Sequence, residues 1–236
     1  MNKTSALILG ICLLAGSAVL GFLLGNAPVK FRQFERTVTV KGLSERDYSA
    51  DIVIWPIQFT TTSNNLDELY NAVETNSKKI KEFLLQNGIE EKEISSSTPF
   101  IVDRSAQQYG DETKSEFRYI GNQTVTVYSS NIAAARQTMG KLSELGKQGI
   151  VLTGDAYQSE TEYIFTKLND IKPAMIEEAT RNAREVAEKF ASDSKSSLGK
   201  IKDASQGQFT IENRDKNNPH IKKVRVVSTV TYYLSD

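Results

Sequence analysis

One histidine and one cysteine are all that the chain offers of the two most versatile reactive side chains. His220 follows Pro219 in a polar stretch. Histidine is the commonest acid–base group and metal ligand near neutral pH. As a metal ligand His220 would need carboxylate help, and Asp215 is the nearest in sequence; an exposed loop histidine is the favoured reading. Cys12 lies inside an apolar segment, so no intrachain disulfide or thiolate zinc site is open to the chain. Asp111-Glu112 and Glu90-Glu91-Glu93 sit in or beside predicted turns. Paired carboxylates can serve acid–base catalysis or hold calcium. These lack the regular alternation of a calcium loop, and a solvated surface is favoured. Trp55 and Tyr48 could form an aromatic ligand surface, but packing on a sheet is favoured, because aromatics suit strands. Lys222, Lys223 and Arg225 open the last predicted strand and read as guards of an exposed edge, ahead of contacts to a neighbouring subunit. No GxSxG, HExxH, phosphate-binding glycine loop or dinucleotide fingerprint occurs. No catalytic, metal or cofactor site is expected, and a non-enzymatic protein is.

Charge points the same way. The 236 residues carry 29 cations and 29 anions, and removing residues 1–25, which hold only Lys3 as a charge, leaves a net −1. Nucleic-acid binders need clustered positive charge to displace counterions, so no nucleic-acid partner is expected.

Ser5 to Gly25 reads SALILGICLLAGSAVLGFLLG, 21 residues without a charge. As a helix it would span about 31 Å, close to a bilayer core of roughly 30 Å. Three readings compete: an uncleaved signal anchor, a cleaved signal peptide and a lipoprotein signal. Ile11 before Cys12 disfavours lipidation, because a small residue is wanted there. Pro28 would follow a cut after Ala27 and should block it. A cut near Ala15-Gly16-Ser17 would leave AVLGFLLG exposed. The run also exceeds the usual apolar region of about 7–15 residues in a cleaved signal. The anchor is favoured, with 1–25 as a transmembrane helix, 26–36 as a linker and 37–236 as one domain. Ser17, Gly21 and Gly25 recur every fourth residue, a small-residue stripe along which two spanning helices could pack, although chance is the favoured reading because small residues are common in such segments. Lys30, Arg32, Arg36 and Lys41 follow the span. By charge alone they would hold the domain in the cytoplasm, although long domains translocate largely regardless of charge.

Beyond the linker, strands are predicted at 37–41 and 50–62, with Ile52, Ile54, Ile57 and Phe59 dominating the second. Pro56 there predicts a bulge or an edge. A helix is predicted over 66–87 from Leu66, Leu69, Tyr70, Val73, Ile80, Phe83 and Leu84, capped by Asn65 and stopped at Gly88. Strands follow at 93–104 and 117–130, joined by a polar hairpin. A shorter helix covers 132–145, capped by Asn131, and a strand spans 150–165, either continuous or broken near Gly154. A long helix covers 172–193 with Pro173 in its first turn and Ile176, Ala179, Ala183, Val186, Ala187 and Phe190 facing inward. Two strands, 199–213 and 221–234, end the chain. The fold class is α+β, a largely antiparallel sheet with three helices. Strand–helix–strand–strand recurs over 50–130 and 156–234, as a duplication would produce, although the ordinary construction of α+β sheets gives the same order and is the favoured reading.

Five stretches together resemble the SIMPL (DUF541) family over about 37–235: VTVKGLSERDYSADIVIW, LLQNGIEEKEISSST, RYIGNQTVTVYSSNI, EEATRNAREVAEKFASDSKSSLGKI and VRVVSTVTYYL. The family usually has Pro-Asp before the second strand, where this chain has Ala50-Asp51, and SAQQYGDETK resembles an insertion. The resemblance implies a bacterial envelope protein in the inner membrane with its domain on the periplasmic side. It further implies assembly into a homo-oligomer and a link to oxidative-stress tolerance, and it supplies no catalytic residues. A monomeric periplasmic module binding a small molecule or an envelope partner is the alternative.

Overall fold

The computed structural model describes residues 12–22, 36–106, 116–153 and 160–235. The chain divides into two compact units. The first comprises Met1–Arg46, Ile171–Thr210 and Arg225–Asp236; the second comprises Asp47–Asp170 and Ile211–Val224. Both place helices against antiparallel strands, an α+β architecture. The strands are β1 (Thr37–Ser49), β2 (Ile52–Ser63), β3 (Ile94–Ser96), β4 (Phe100–Asp103), β5 (Tyr119–Ser129), β6 (Val151–Leu152), β7 (Glu162–Ile164), β8 (Ser197–Gln206), β9 (Thr210–Asn213) and β10 (Ile221–Ser235). Beyond a helix over residues 12–22, the helices are α1 (Leu66–Gln86), α2 (Ile132–Met139), α3 (Ser143–Lys147) and α4 (Leu168–Asp193).

The second unit is organised by β2. It pairs with β5 in unbroken antiparallel register from Val53 opposite Ser129 to Ser63 opposite Tyr119. Alternate residues of a strand face opposite sides, and Val53, Trp55, Ile57 and Phe59 are buried with Val125 and Val127 of β5. Helix α1 covers that face with Leu69, Val73, Ile80, Phe83 and Leu84. Its start is fixed by Asn65, whose side chain accepts from Asp67 N and Glu68 N, and Gly88 follows its end at φ +88°. Along the other edge of β2, β7 pairs with residues 52–54 and β6 with 59–60.

The first unit is built on one helix. Strand β10 lies between β1 and β8, and Thr39 Oγ1 sits 2.9 Å from Thr231 Oγ1. Helix α4 buries Met175, Ala179, Ala183, Ala187 and Ala191, a run of every fourth residue. Alanine on that seam brings the helix backbone down onto Gly42 of β1. A Cβ at Gly42 would lie 1.9 Å from Ala179 O and 2.4 Å from Ala183 N. The core there is Val40, Ala183, Ala187, Val230 and Tyr232, and Leu198 is the β8 side chain packed against it. The remaining nine residues of β8 are exposed.

Several expectations are corrected. Pro56 causes no bulge: it stands opposite Thr126 within the unbroken register. Gln58, of the same parity, accepts from Thr153 N at 2.9 Å on the side away from β5. The missing N–H of Pro56 therefore faces the gap between β6 and β7. The inward set is accordingly odd-numbered throughout, and Ile52 and Ile54 lie half-buried on the opposite face. Leu66 and Tyr70 of α1 are exposed, on a flank the sheet does not reach, and so are Val186 and Phe190 of α4, because the strict four-residue seam leaves them to one side. Helix α4 starts at Leu168, so Pro173 lies inside it. The 132–145 helix is two helices, with Gly140 capping the first. The strands predicted at 93–104 and 199–213 are each two shorter strands, and the 150–165 stretch holds β6 and β7, with residues 154–159 outside the described ones. Residues 50–130 fall wholly in the second unit, whereas 156–234 give α4 from Ile171, β8 and most of β10 to the first.

The Gly42 contact makes a direct prediction. Gly42→Ala forces a methyl into helix backbone that has no flexible end to yield, and should lower stability by about 3 kcal/mol or more, read as a drop in the urea midpoint. Gly146→Ala, where nothing lies within 4 Å of the added Cβ, should leave the midpoint unchanged or raise it.

Candidate functional site

The gap along β2 is an open cleft of about 340 Å³. Its lining is Trp55, Pro56, Ile57, Gln58, Met139, Leu142, Leu152, Thr153 and Thr161. It forms because β6 and β7 each pair with only a short stretch of β2 and leave residues 55–58 between them. Six of its side chains are apolar, three are polar and none carries a charge. Such a lining suits a neutral, mostly apolar group with a few hydrogen-bonding positions. Trp55 contributes to it but is otherwise core, at 4% exposure. Tyr48 stacks on Phe165 at 5.4 Å between ring centroids and is not part of the lining, so the two aromatics form no shared surface.

His220 is not a free loop residue. Its carbonyl accepts from Ala50 N at 2.8 Å, which fixes its backbone where β10 begins. Its ring Nε2 lies 3.0 Å from Arg136 Nη1 and meets the Tyr163 ring edge-on at 6.0 Å. Burial first, then the charges of Arg136 and Arg214, push the imidazole below its ordinary value, against the opposing pull of Asp215. Burial raises the Tyr163 phenol. Asp215, the imagined co-ligand, has another task. Its Oδ1 accepts from Asn217 N and Asn218 N, each at 2.9 Å, and its Oδ2 accepts from Arg214 Nε at 3.0 Å. That Arg214 bond, foremost, lowers its carboxyl. Among the described residues no group of three or more His, Cys, Asp or Glu is placed to hold a metal ion.

The acidic run before β3 is structural. Glu93 closes a capping box with Glu90, accepting from Glu90 N at 3.0 Å through Oε2. Its Oε1 accepts from Ser129 Oγ at 2.7 Å. Lys92 pairs with Glu90 at 2.5 Å. Asp111 and Glu112 lie outside the described residues. The edge-guard reading of Lys222, Lys223 and Arg225 is overturned, because β10 is an inner strand: β1, β8 and β9 all pair with it. Lys222 instead donates to Asn213 Oδ1, and Arg225 lies 3.9 Å from Glu45.

Among the described residues no helix is long and apolar enough to cross a membrane. Of the predicted anchor only residues 12–22 are described, as a helix exposed along its length. Ser17 Oγ donates to Leu13 O at 2.7 Å within that helix, and nothing lies within 4 Å of a Cβ built on Gly21. Gly25 lies outside the described residues.

Sequence reasoning missed Arg136, Tyr163 and the cleft. Arg136 and His220 are 84 residues apart, and a lone arginine on a short helix carries no local signal. The cleft arises from where β6 and β7 stop, which no side-chain pattern marks.

Glu93→Ala should remove two bonds and cost about 1–2 kcal/mol, seen in thermal unfolding. Added calcium should leave the unfolding midpoint of the unmodified chain where it was, whereas a calcium-dependent rise that Glu93→Ala abolishes would restore the acidic run as a binding site.

No curated protein matches the sequence. The SIMPL family, described as "Protein of unknown function (DUF541)", matches residues 38–231, which takes in β1 from its second residue, the whole second unit and β10 as far as Thr231. The chain belongs to the SIMPL family.

Proposed function

We propose that this SIMPL protein is a non-enzymatic, membrane-anchored envelope protein that works as a homo-oligomer, with its folded part on the periplasmic side. The observation that carries the oligomer is β8. It pairs with β10 along one side, and among the described residues no strand pairs with its other side. An open strand edge of this length is a template for another chain. Support for the anchor comes from the 21 uncharged residues Ser5–Gly25, long enough for the bilayer core. Placement outside the cytoplasm rests on the resemblance to exported family members, as does a role in oxidative-stress tolerance. The competing reading, a monomeric binding module, has the uncharged Trp55 cleft in its favour.

Light scattering of the full-length protein in detergent separates the two. Assembly through β8 predicts a mass of more than one copy. Ile201→Lys, which adds a charge at an exposed β8 position, should shift the mass toward a single copy and leave the circular dichroism unchanged. A single copy at high protein concentration would favour the monomeric module instead.

A further inference from the structure

In the second unit the contact between Arg136 and His220 is of an unusual kind. A guanidinium has donors only and keeps its proton throughout the accessible pH range. A 3.0 Å approach of Nη1 to Nε2 therefore needs a lone pair on Nε2: a neutral imidazole with its proton on Nδ1. Protonating Nε2 would replace that hydrogen bond with two facing cations.

The surroundings offer little to absorb the extra charge. Arg136 faces the ring from α2 and Tyr163 from β7. From the turn before β10 come Arg214, which also repels the charged ring, and Asp215, which attracts it. Asp215 is already bonded to Arg214 and to the backbone of Asn217 and Asn218. Glu162 of β7 lies within electrostatic reach of Lys222 of β10. Asp51 accepts from Thr166 N and Oγ1 at 2.8 and 2.6 Å. The ring thus has two cations and one already-engaged carboxylate about it.

We propose that the Arg136–His220 hydrogen bond is an acid-released latch, holding α2 to the start of β10 near neutral pH and letting go when the imidazole takes up a proton. The direction follows from linkage. A base with a folded-state pKa below its unfolded value takes protons more readily once released. The latch is whole above the ordinary value of 6.5 and is lost as pH falls through the lower, folded-state value. Release frees the turn 214–220 and α2 to move independently of each other.

His220 is the only histidine, so its imidazole signals in the isotope-labelled full-length protein need no assignment. Those signals should show the Nδ1–H tautomer at pH 7.5 and a titration midpoint below 6.5. Backbone amides of 132–139, corrected for intrinsic exchange, should lose protection as the imidazole titrates. Arg136→Met keeps the exposed stem without donor or charge. It should raise the midpoint toward 6.5 and make the protection of 132–139 independent of pH. A midpoint at or above 6.5, the Nε2–H tautomer, or the same acid-induced loss of protection in Arg136→Met would each overturn the latch.

Discussion

One helix can cover only one face of a sheet, and over only part of its width. In the first unit that helix is α4, and its reach is set by an alanine seam lying directly on Gly42. Close approach maximises dispersion contacts along β1 and β10, but a helix drawn down onto those strands does not extend over β8. Leu198 is the single β8 side chain packed against the core. The exposed strand, on which assembly is proposed to depend, follows from the same contact that makes the unit compact. The outward odd-numbered face of β10 is only partly covered too, with Arg225 and Tyr233 exposed.

The second unit meets the same constraint differently. Three helices, α1, α2 and α3, contribute to one face of a six-stranded sheet. The core is correspondingly larger and richer in bulky side chains: Trp55, Ile57, Phe59, Ile80, Phe83 and Leu84 all belong to it. Its weak point is the edge of β2, where two short strands share the work of one. Pro56 is tolerated because its missing N–H falls between them. The polar side chains that looked most reactive in the sequence prove to hold the backbone in place: Glu93 caps a turn, Asp215 shapes another, and His220 joins a strand to a helix.

The sequence is legible where the chemistry is local. Asn65 and Asn131 cap the helices they were expected to cap, through bonds to Glu68 N at 3.4 Å and Ala134 N at 3.1 Å. Gly88 takes the left-handed backbone expected of a helix stop. The failures share a cause: they depend on partners distant in the chain. The parity of β2 is set by its pairing with β5, not by which isoleucines look inward. Val186 and Phe190 look like core until the alanine seam is seen to do the packing. Arg225 looks like an edge guard until β10 is found between other strands. The Arg136–His220 bond had no sequence signature, because each residue alone reads as a solvated side chain.

Whether the protein works through association at an uncovered strand is decided at the backbone of β8. Amide hydrogen exchange of residues 197–206 in the full-length protein, followed over a wide range of protein concentration, reports whether a second chain pairs there. With association at β8, slow exchange should spread to the amides facing away from β10 as concentration rises. Fast exchange of those amides at every concentration would contradict it.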